Sequence, residues 1–299
     1  MISYVEMAKK RTYEYVEYSK FFHVLTDIQY GDIERERLDI FLPEERGPFP
    51  TVIHVTGGGF VYGDKSMKKM EETFQSILSH GYAIVSVNYS LSDKEKYPVQ
   101  IWQVKRAIRF IKLHAAEYGI DPEHLFLYGN SAGGYLVLMA SFTDSRDSFF
   151  NGDYSNGRAG DLSVSTTVQG VVSIYALVEP YDCGKMIRAV GNEPKYYENT
   201  LESPEGYFFG DDIDNIRDKA KEASVLNYVR EDHPPVLVQH GRCDRTVSPK
   251  NSYDLVTALL ECNEENVEFE YFEGLDHSDP FFKSRENTER ILSFFDKYL

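Results

Sequence analysis

Short apolar runs alternate with segments of helical length along most of this chain, and that order restricts the fold more than any other feature. From Thr51 the series reads strand Thr51 to Val55, helix near Ser66 to His80, strand Ala83 to Asn88, helix Val99 to Tyr118, strand Leu125 to Tyr128 and helix Ala132 to Phe142. Two earlier runs, Val24 to Tyr30 and Arg37 to Leu42, read as strands, with Pro43 to Pro50 as a turn-rich connection. Later come strands Val168 to Tyr175, Pro235 to Gly241 and Val267 to Phe272, with helices Asn215 to Glu222, Asn251 to Glu261 and Ser284 to Tyr298. Such alternation predicts an α/β architecture, a mostly parallel central sheet with helices on both faces. Two stretches interrupt it. Asp144 to Asp161 is rich in Ser, Asp, Asn and Gly and reads as an exposed excursion, and Ala176 to about Asp214 has no clear strand. At the other end Tyr4, Met7, Tyr15 and Tyr18 recur at roughly helical spacing, which predicts a leading helix within Met1 to Lys20.

Gly129-Asn130-Ser131-Ala132-Gly133 sits between the apolar run Leu125 to Tyr128 and the helix that follows. In a G-x-S-x-G elbow between strand and helix, a strained turn lifts the serine hydroxyl clear of the sheet, and glycine is required where a side chain would strike neighbouring elements. Ser131 is therefore the candidate nucleophile. A serine also needs a base, a group to orient that base, and donors for the oxyanion. The strand Thr51 to Val55 ends in Thr56-Gly57-Gly58-Gly59-Phe60, whose uncovered amides admit a carbonyl oxygen, so Gly58, Gly59 and Ala132 are the candidate donors. Asp244 follows the strand closing at Gly241, and His277 follows the strand closing at Phe272. Both fall in exit loops at carboxyl ends of strands, where catalytic groups gather in parallel sheets. Asp276 and Glu273 are rival acids, but they lie too near His277 in sequence to approach its far ring nitrogen comfortably. His54 and His240 lie inside strand runs, where a packed neutral imidazole is the ordinary expectation.

The order Ser131, Asp244, His277 is that of the α/β-hydrolase triad. The chain resembles the esterase/lipase type of that fold, most closely the small esterases that pair an H-G-G-G-[FW] loop with a G-x-S-A-G-G elbow, including feruloyl- and acetyl-esterase-like members. The likeness rests on Gly57 to Phe60 with Gly63-Asp64-Lys65, on Gly129 to Gly134, on His240 to Val247 and on Gly274 to His277, and it runs from about Tyr30 to the C-terminus. Asp39 to Pro43 and Ser224 to Tyr228 add family signposts. One departure is Thr56, where the family usually has His. The resemblance implies a single hydrolase domain over 1–299 with an inserted cap at 176–214, whose aromatics are candidate pocket walls. Phe60, Tyr181, Tyr207 and Phe208 are taken as candidate substrate contacts. It further implies hydrolysis of small or medium carboxylic esters with short acyl groups through an acyl-enzyme, with no metal and no organic cofactor. An aryl-formamidase or small amidase would use the same residues. A ligand receptor on the same scaffold is disfavoured, because such proteins typically lack the nucleophile or the base, and all three residues are present. Many relatives form dimers, which leaves a homodimer open.

Composition narrows the partners. The net charge of −16 repels nucleic acid and anionic membrane surfaces alike, so neither is an expected partner. The three cysteines have no C-x-x-C spacing, and they read as free thiols in a reducing compartment. No segment approaches the ~20 apolar residues of a membrane span, and the N-terminus has no signal-peptide pattern, so a cytoplasmic location is expected.

Overall fold

Eight strands form one sheet in the order β1-β2-β4-β3-β5-β6-β7-β8. The computed structural model describes residues 1–151 and 157–299. The strands are β1 His23–Gln29, β2 Arg37–Leu42, β3 Phe49–Val55, β4 Ala83–Val87, β5 Ile120–Asn130, β6 Gly170–Ile174, β7 Val236–Gly241 and β8 Val267–Phe272. β1–β2 and β2–β4 are antiparallel; every pairing from β4 through β3 and β5 to β8 is parallel. The mostly parallel α/β sheet expected from the alternation, and the hydrolase arrangement that the resemblance implies, are therefore those observed.

The central strands are buried on both faces, and their alternate side chains enter two separate cores. In β5, Leu125 and Leu127 join one core while Phe126 and Tyr128 join the other. Helices α3 (Val99–Leu113), α5 (Ala132–Phe142) and α10 (Lys250–Cys262) cover the first face. α2 (Glu71–Ser79) and α11 (Arg285–Lys297) cover the second with Phe74, Ile77, Ile291, Phe294 and Phe295.

Several boundaries differ from the sequence expectation, each for a local reason. The leading helix is only α1, Tyr4–Lys9, capped by the Ser3 hydroxyl. Beyond it the chain runs without helix as far as a single 3-10 turn at Tyr18–Lys20, because Val16 donates to the Ser66 carbonyl at 2.7 Å and Lys68 donates to the Glu14 carbonyl at 2.8 Å. That pairing also delays the next helix from Ser66 to Glu71, since 66–68 give their backbone groups to the N-terminal segment. The expected helix Val99 to Tyr118 breaks at His114 into α3 and α4 (Ala115–Tyr118), which ends on Gly119 in the left-handed conformation. Within the expected excursion 144–161, residues 152–156 lie outside the described residues. Its flanks are not wholly exposed. α6 (Ser148–Asn151) buries Phe150 in the core, and Ala159 packs on Val99 and Trp102.

Between β6 and β7 the chain forms α7 (Cys183–Ala189), α8 (Pro204–Phe209) and α9 (Arg217–Glu222), with no strand among them. Of these, α8 is anchored by a cap and by aromatic packing. Ser203 caps α8, and Phe208 stacks on Phe60 with ring centroids 3.9 Å apart. α1 docks beside them: Tyr4 donates its N–H to the Glu202 carbonyl at 3.1 Å, and its ring meets Tyr196 edge-on.

Candidate functional site

β5 delivers Ser131 to the carboxyl edge of the sheet, and the turn there is strained as an elbow must be. Ser131 has φ 53° and ψ −123°, outside the regions that L-residues favour, while its N–H is held by the Ile174 carbonyl at 2.9 Å. The strain is tolerated because close packing over-determines the turn. A Cβ on Gly133 would stand 2.0 Å from the Val55 carbonyl oxygen, so only glycine lets α5 approach β3.

The three predicted side chains meet in series. His277 Nε2 is 2.9 Å from Ser131 Oγ, and His277 Nδ1 is 2.6 Å from Asp244 Oδ2. A carboxylate only accepts, so Nδ1 carries the ring proton and Nε2 is left to accept from the serine hydroxyl. Asp244 is fully buried, and burial alone would favour its neutral form. The imidazoles of His277 and His240 overcome that and hold the carboxyl well below the usual carboxylate range. Its other oxygen, Oδ1, accepts from the backbone N–H of Thr246 at 2.8 Å and Val247 at 2.9 Å. The rival acids are engaged elsewhere. Asp276 pairs with Arg245 at 2.8 Å, and Glu273 with Arg242 at 2.8 Å.

His240 has a larger part than a packed strand residue. Its Nε2 faces Asp244 Oδ2 and the Val247 carbonyl, each at 3.2 Å, and its Nδ1 is 2.7 Å from Ser252 Oγ. Two acceptors at Nε2 place the proton there, so the ring donates to the same carboxylate oxygen that holds His277. The signal in the sequence was its spacing four residues before Asp244, across the turn that closes β7. Tyr175 was likewise missed as a neighbour of the base. Its ring packs edge-on against His277 with centroids 4.7 Å apart, and its hydroxyl accepts from Asn130 Nδ2 at 3.2 Å.

On the opposite wall, Gly58 and Gly59 have φ of 143° and 59°. Among the described residues no acceptor faces the N–H of Gly58, Gly59 or Ala132, and all three border the space beside Ser131. Thr56, in the usual histidine position, is buried, and its carbonyl accepts from Tyr89 Oη at 3.0 Å. The rest of the loop is held by charge. Lys65 Nζ bridges Asp39 at 2.9 Å and Asp27 at 3.0 Å, while Asn88 Nδ2 donates to Asp64 at 2.9 Å. His54 is no substitute for the missing imidazole, because it points into the second core and meets Ser86 Oγ at 3.0 Å.

Ser131 stands between two cavities. One, of about 30 Å³, is lined mainly by Gly59, Phe60, Ala132, Leu177, Cys183 and Glu205. The other, of about 90 Å³, is lined on the His277 side by Tyr4, Tyr62, Tyr175 and Tyr196 with Arg11 and Lys69. Of the four aromatics expected to touch substrate, Phe60 alone borders these cavities. Phe208 is fully buried behind it. Tyr207 lies against Lys9 and Lys96 on the outer side, and Tyr181 donates to Glu179 away from Ser131. Tyr4, from the N-terminal segment, borders both spaces instead. All three cysteines are free, and among the described residues no group of three or more His, Cys, Asp or Glu could hold a metal ion. Among the same residues no helix is long and apolar enough to cross a membrane.

A mostly parallel eight-stranded sheet with a serine at a strand-to-helix elbow, facing a histidine from the exit of β8 and a buried aspartate from the exit of β7, defines an α/β-hydrolase of the esterase/lipase type. The chain belongs to the BD-FAE family, whose model matches residues 38–259. It is similar to the probable carboxylic ester hydrolase LipM of Mycobacterium tuberculosis, 28% identical over 81% of this chain and 53% of that protein. Esterase LipQ of the same organism is 27% identical over 90% of this chain and 61% of its own length. The chain thus spans little more than half of these curated relatives. A solved truncated carbohydrate esterase from gut microbiota superposes with a TM-score of 0.81 at 25% identity, covering 95% of this chain and 99% of that one.

Proposed function

We propose that the chain is a serine carboxylesterase that cleaves small or medium esters with short acyl groups through an acyl-enzyme. The observation that carries this reading is the unbroken series Ser131 Oγ, His277, Asp244, at 2.9 Å and 2.6 Å. His277 Nε2 takes the hydroxyl proton as Ser131 Oγ attacks the carbonyl carbon, and the N–H groups of Gly58, Gly59 and Ala132 receive the oxygen that becomes negative. The carbon–oxygen bond to the alcohol then breaks, and Nε2 returns its proton to the leaving oxygen. Water, deprotonated at the same nitrogen, attacks the acyl carbon and releases the acid, which restores Ser131.

The smaller cavity supports a short acyl group. A space of about 30 Å³ lined by Phe60 and Leu177 suits an acetyl-sized group better than a long chain. The tyrosines around the larger cavity offer faces for a sugar ring, and the gut carbohydrate esterase has a closely similar fold. Acetylated carbohydrate fragments are therefore the proposed natural class. We take residues 1–299 as one hydrolase domain in which 176–214 acts as a cap, since Leu177, Cys183, Lys195 and Tyr196 from that segment border the space around Ser131.

The test is turnover of p-nitrophenyl acetate by the wild type and by Ser131→Ala. Activity that vanishes in the variant is the expected result; equal turnover by the two removes the assignment. A panel of acetyl, butyryl, feruloyl and formanilide substrates should favour acetyl. Preference for formanilide would replace ester by amide chemistry.

A further inference from the structure

The larger cavity has the opposite sign to the protein around it. The chain has 48 Asp and Glu against 32 Lys and Arg, yet the residues lining this cavity include Arg11, Lys69 and Lys195 and no carboxylate. Among the described residues no carboxylate oxygen lies within the 4.0 Å of an ion pair from any of the three. Arg11 rests on the Tyr62 ring at 4.9 Å and donates to its hydroxyl, and the Lys195 ammonium lies 5.5 Å from the Tyr196 centroid. Lys69, from the turn Lys68–Met70, is partly buried and makes no hydrogen bond among the described residues. Burial, with the charges of Lys283 and Arg11 behind it, pushes its ammonium down to about 8. An unpaired, half-desolvated cation is costly, and such costs concentrate where a ligand relieves them.

Across Ser131 the pattern reverses. The smaller cavity has no Lys or Arg in its wall, and Glu205, 5% exposed, stands there with its carboxyl raised by burial. An anionic acyl group would find no cation on that side, and an anionic alcohol would find three on the other.

We propose that the alcohol half of the substrate bears a carboxylate, seated by Lys69 with Arg11 and Lys195, while the acyl half is small and neutral. This rests on the esterase reading and specifies its substrate as the acyl ester of an acidic alcohol, such as an acidic sugar. Lys69 is then a specificity-determining residue.

A matched pair of acetyl esters tests it at pH 7: 4-acetoxybenzoate, whose leaving group is anionic, and 4-acetoxybenzamide, whose leaving group is not. In the wild type kcat/KM should favour the anionic ester. In Lys69→Gln the ratio of the two kcat/KM values should fall at least tenfold, mainly through KM, and Lys69→Arg should restore most of it. An unchanged ratio in Lys69→Gln, with both esters turned over, overturns the proposal and leaves the esterase reading standing. Turnover of neither ester by wild type removes that reading and this one with it. Should Lys69→Gln fail to fold, inhibition of the wild type decides the matter. 4-Hydroxybenzoate should inhibit hydrolysis of phenyl acetate more strongly than 4-hydroxybenzamide, with the gap closing as salt is raised; equal inhibition overturns the proposal.

Discussion

The relay and its cover are built on different principles. Ser131, Asp244 and His277 stand at the exits of β5, β7 and β8, where parallel pairing sets their spacing and fully buried neighbours lock them. The cover we propose is assembled from α1 and the segment between β6 and β7, which are joined by the bonds of Tyr4 and Val5 to Glu202 and of Tyr197 to Ile2, while Phe208, Phe209 and Ile213 fix the segment in the core. In the reading proposed above, the sheet edge positions groups for chemistry and the cover selects what reaches them.

If this contrast holds, damage to the relay should strike kcat and damage to the cover should strike KM. The largest effect belongs to Ser131→Ala, which should lower kcat by about 10⁶ without change in the circular dichroism spectrum. Asp244→Asn should lower it by about 10⁴, because the imidazole loses both its orienting anion and the correct tautomer. A near-normal rate in that variant would transfer the role to Asp276 or Glu273.

His240→Leu removes one donor from Asp244 Oδ2, a hydrogen bond to a charged group that contributes about 1.5–3 kcal/mol. We expect kcat to fall roughly ten- to hundredfold on that basis. A packing role alone would leave kcat close to wild type. On the cover, Tyr4→Ala should raise KM about three- to tenfold with kcat nearly unchanged. A fall in kcat equal to that of His240→Leu would erase the distinction between the two regions.

The smallest effect lies outside both. His54 is buried and neutral, its imidazole pushed down to about 3 by burial and, secondarily, by Lys69. A folded-state value below the unfolded one means that the unfolded chain binds more protons, so stability is lost as pH falls from about 6.5 toward 3. His54→Leu should flatten the dependence of Tm on pH across that window while leaving Tm near pH 8 within a few degrees. An unchanged slope would show that other groups govern acid unfolding.

The relay was legible because each member stands in a local pattern that chemistry restricts. Gly129 and Gly133 answer close backbone approaches, and Asp244 and His277 each follow an apolar run ending in a turn. The cover was not legible in the same way. Tyr181, Tyr207 and Phe208 share a segment with true cavity residues, and nothing in their spacing says which ring faces Ser131 and which faces solvent or core. The spacing of Tyr4 pointed to an N-terminal helix but not to a cavity wall, since its place beside Gly59 depends on where that helix docks. His240 fell between the two cases. Its burial was expected, but its donation to Asp244 required knowing how the turn after β7 folds back.

Local periodicity and turn chemistry determined the layered α/β fold, the elbow and the identities of its serine, histidine and aspartate, because those depend on contacts within a few residues and on strand order. Only the tertiary structure decided which side chains enclose the serine and what charge they present, because Arg11, Lys69 and Lys195 come from three unrelated stretches. Long-range packing alone sets such a neighbourhood, and no window of the sequence contains it.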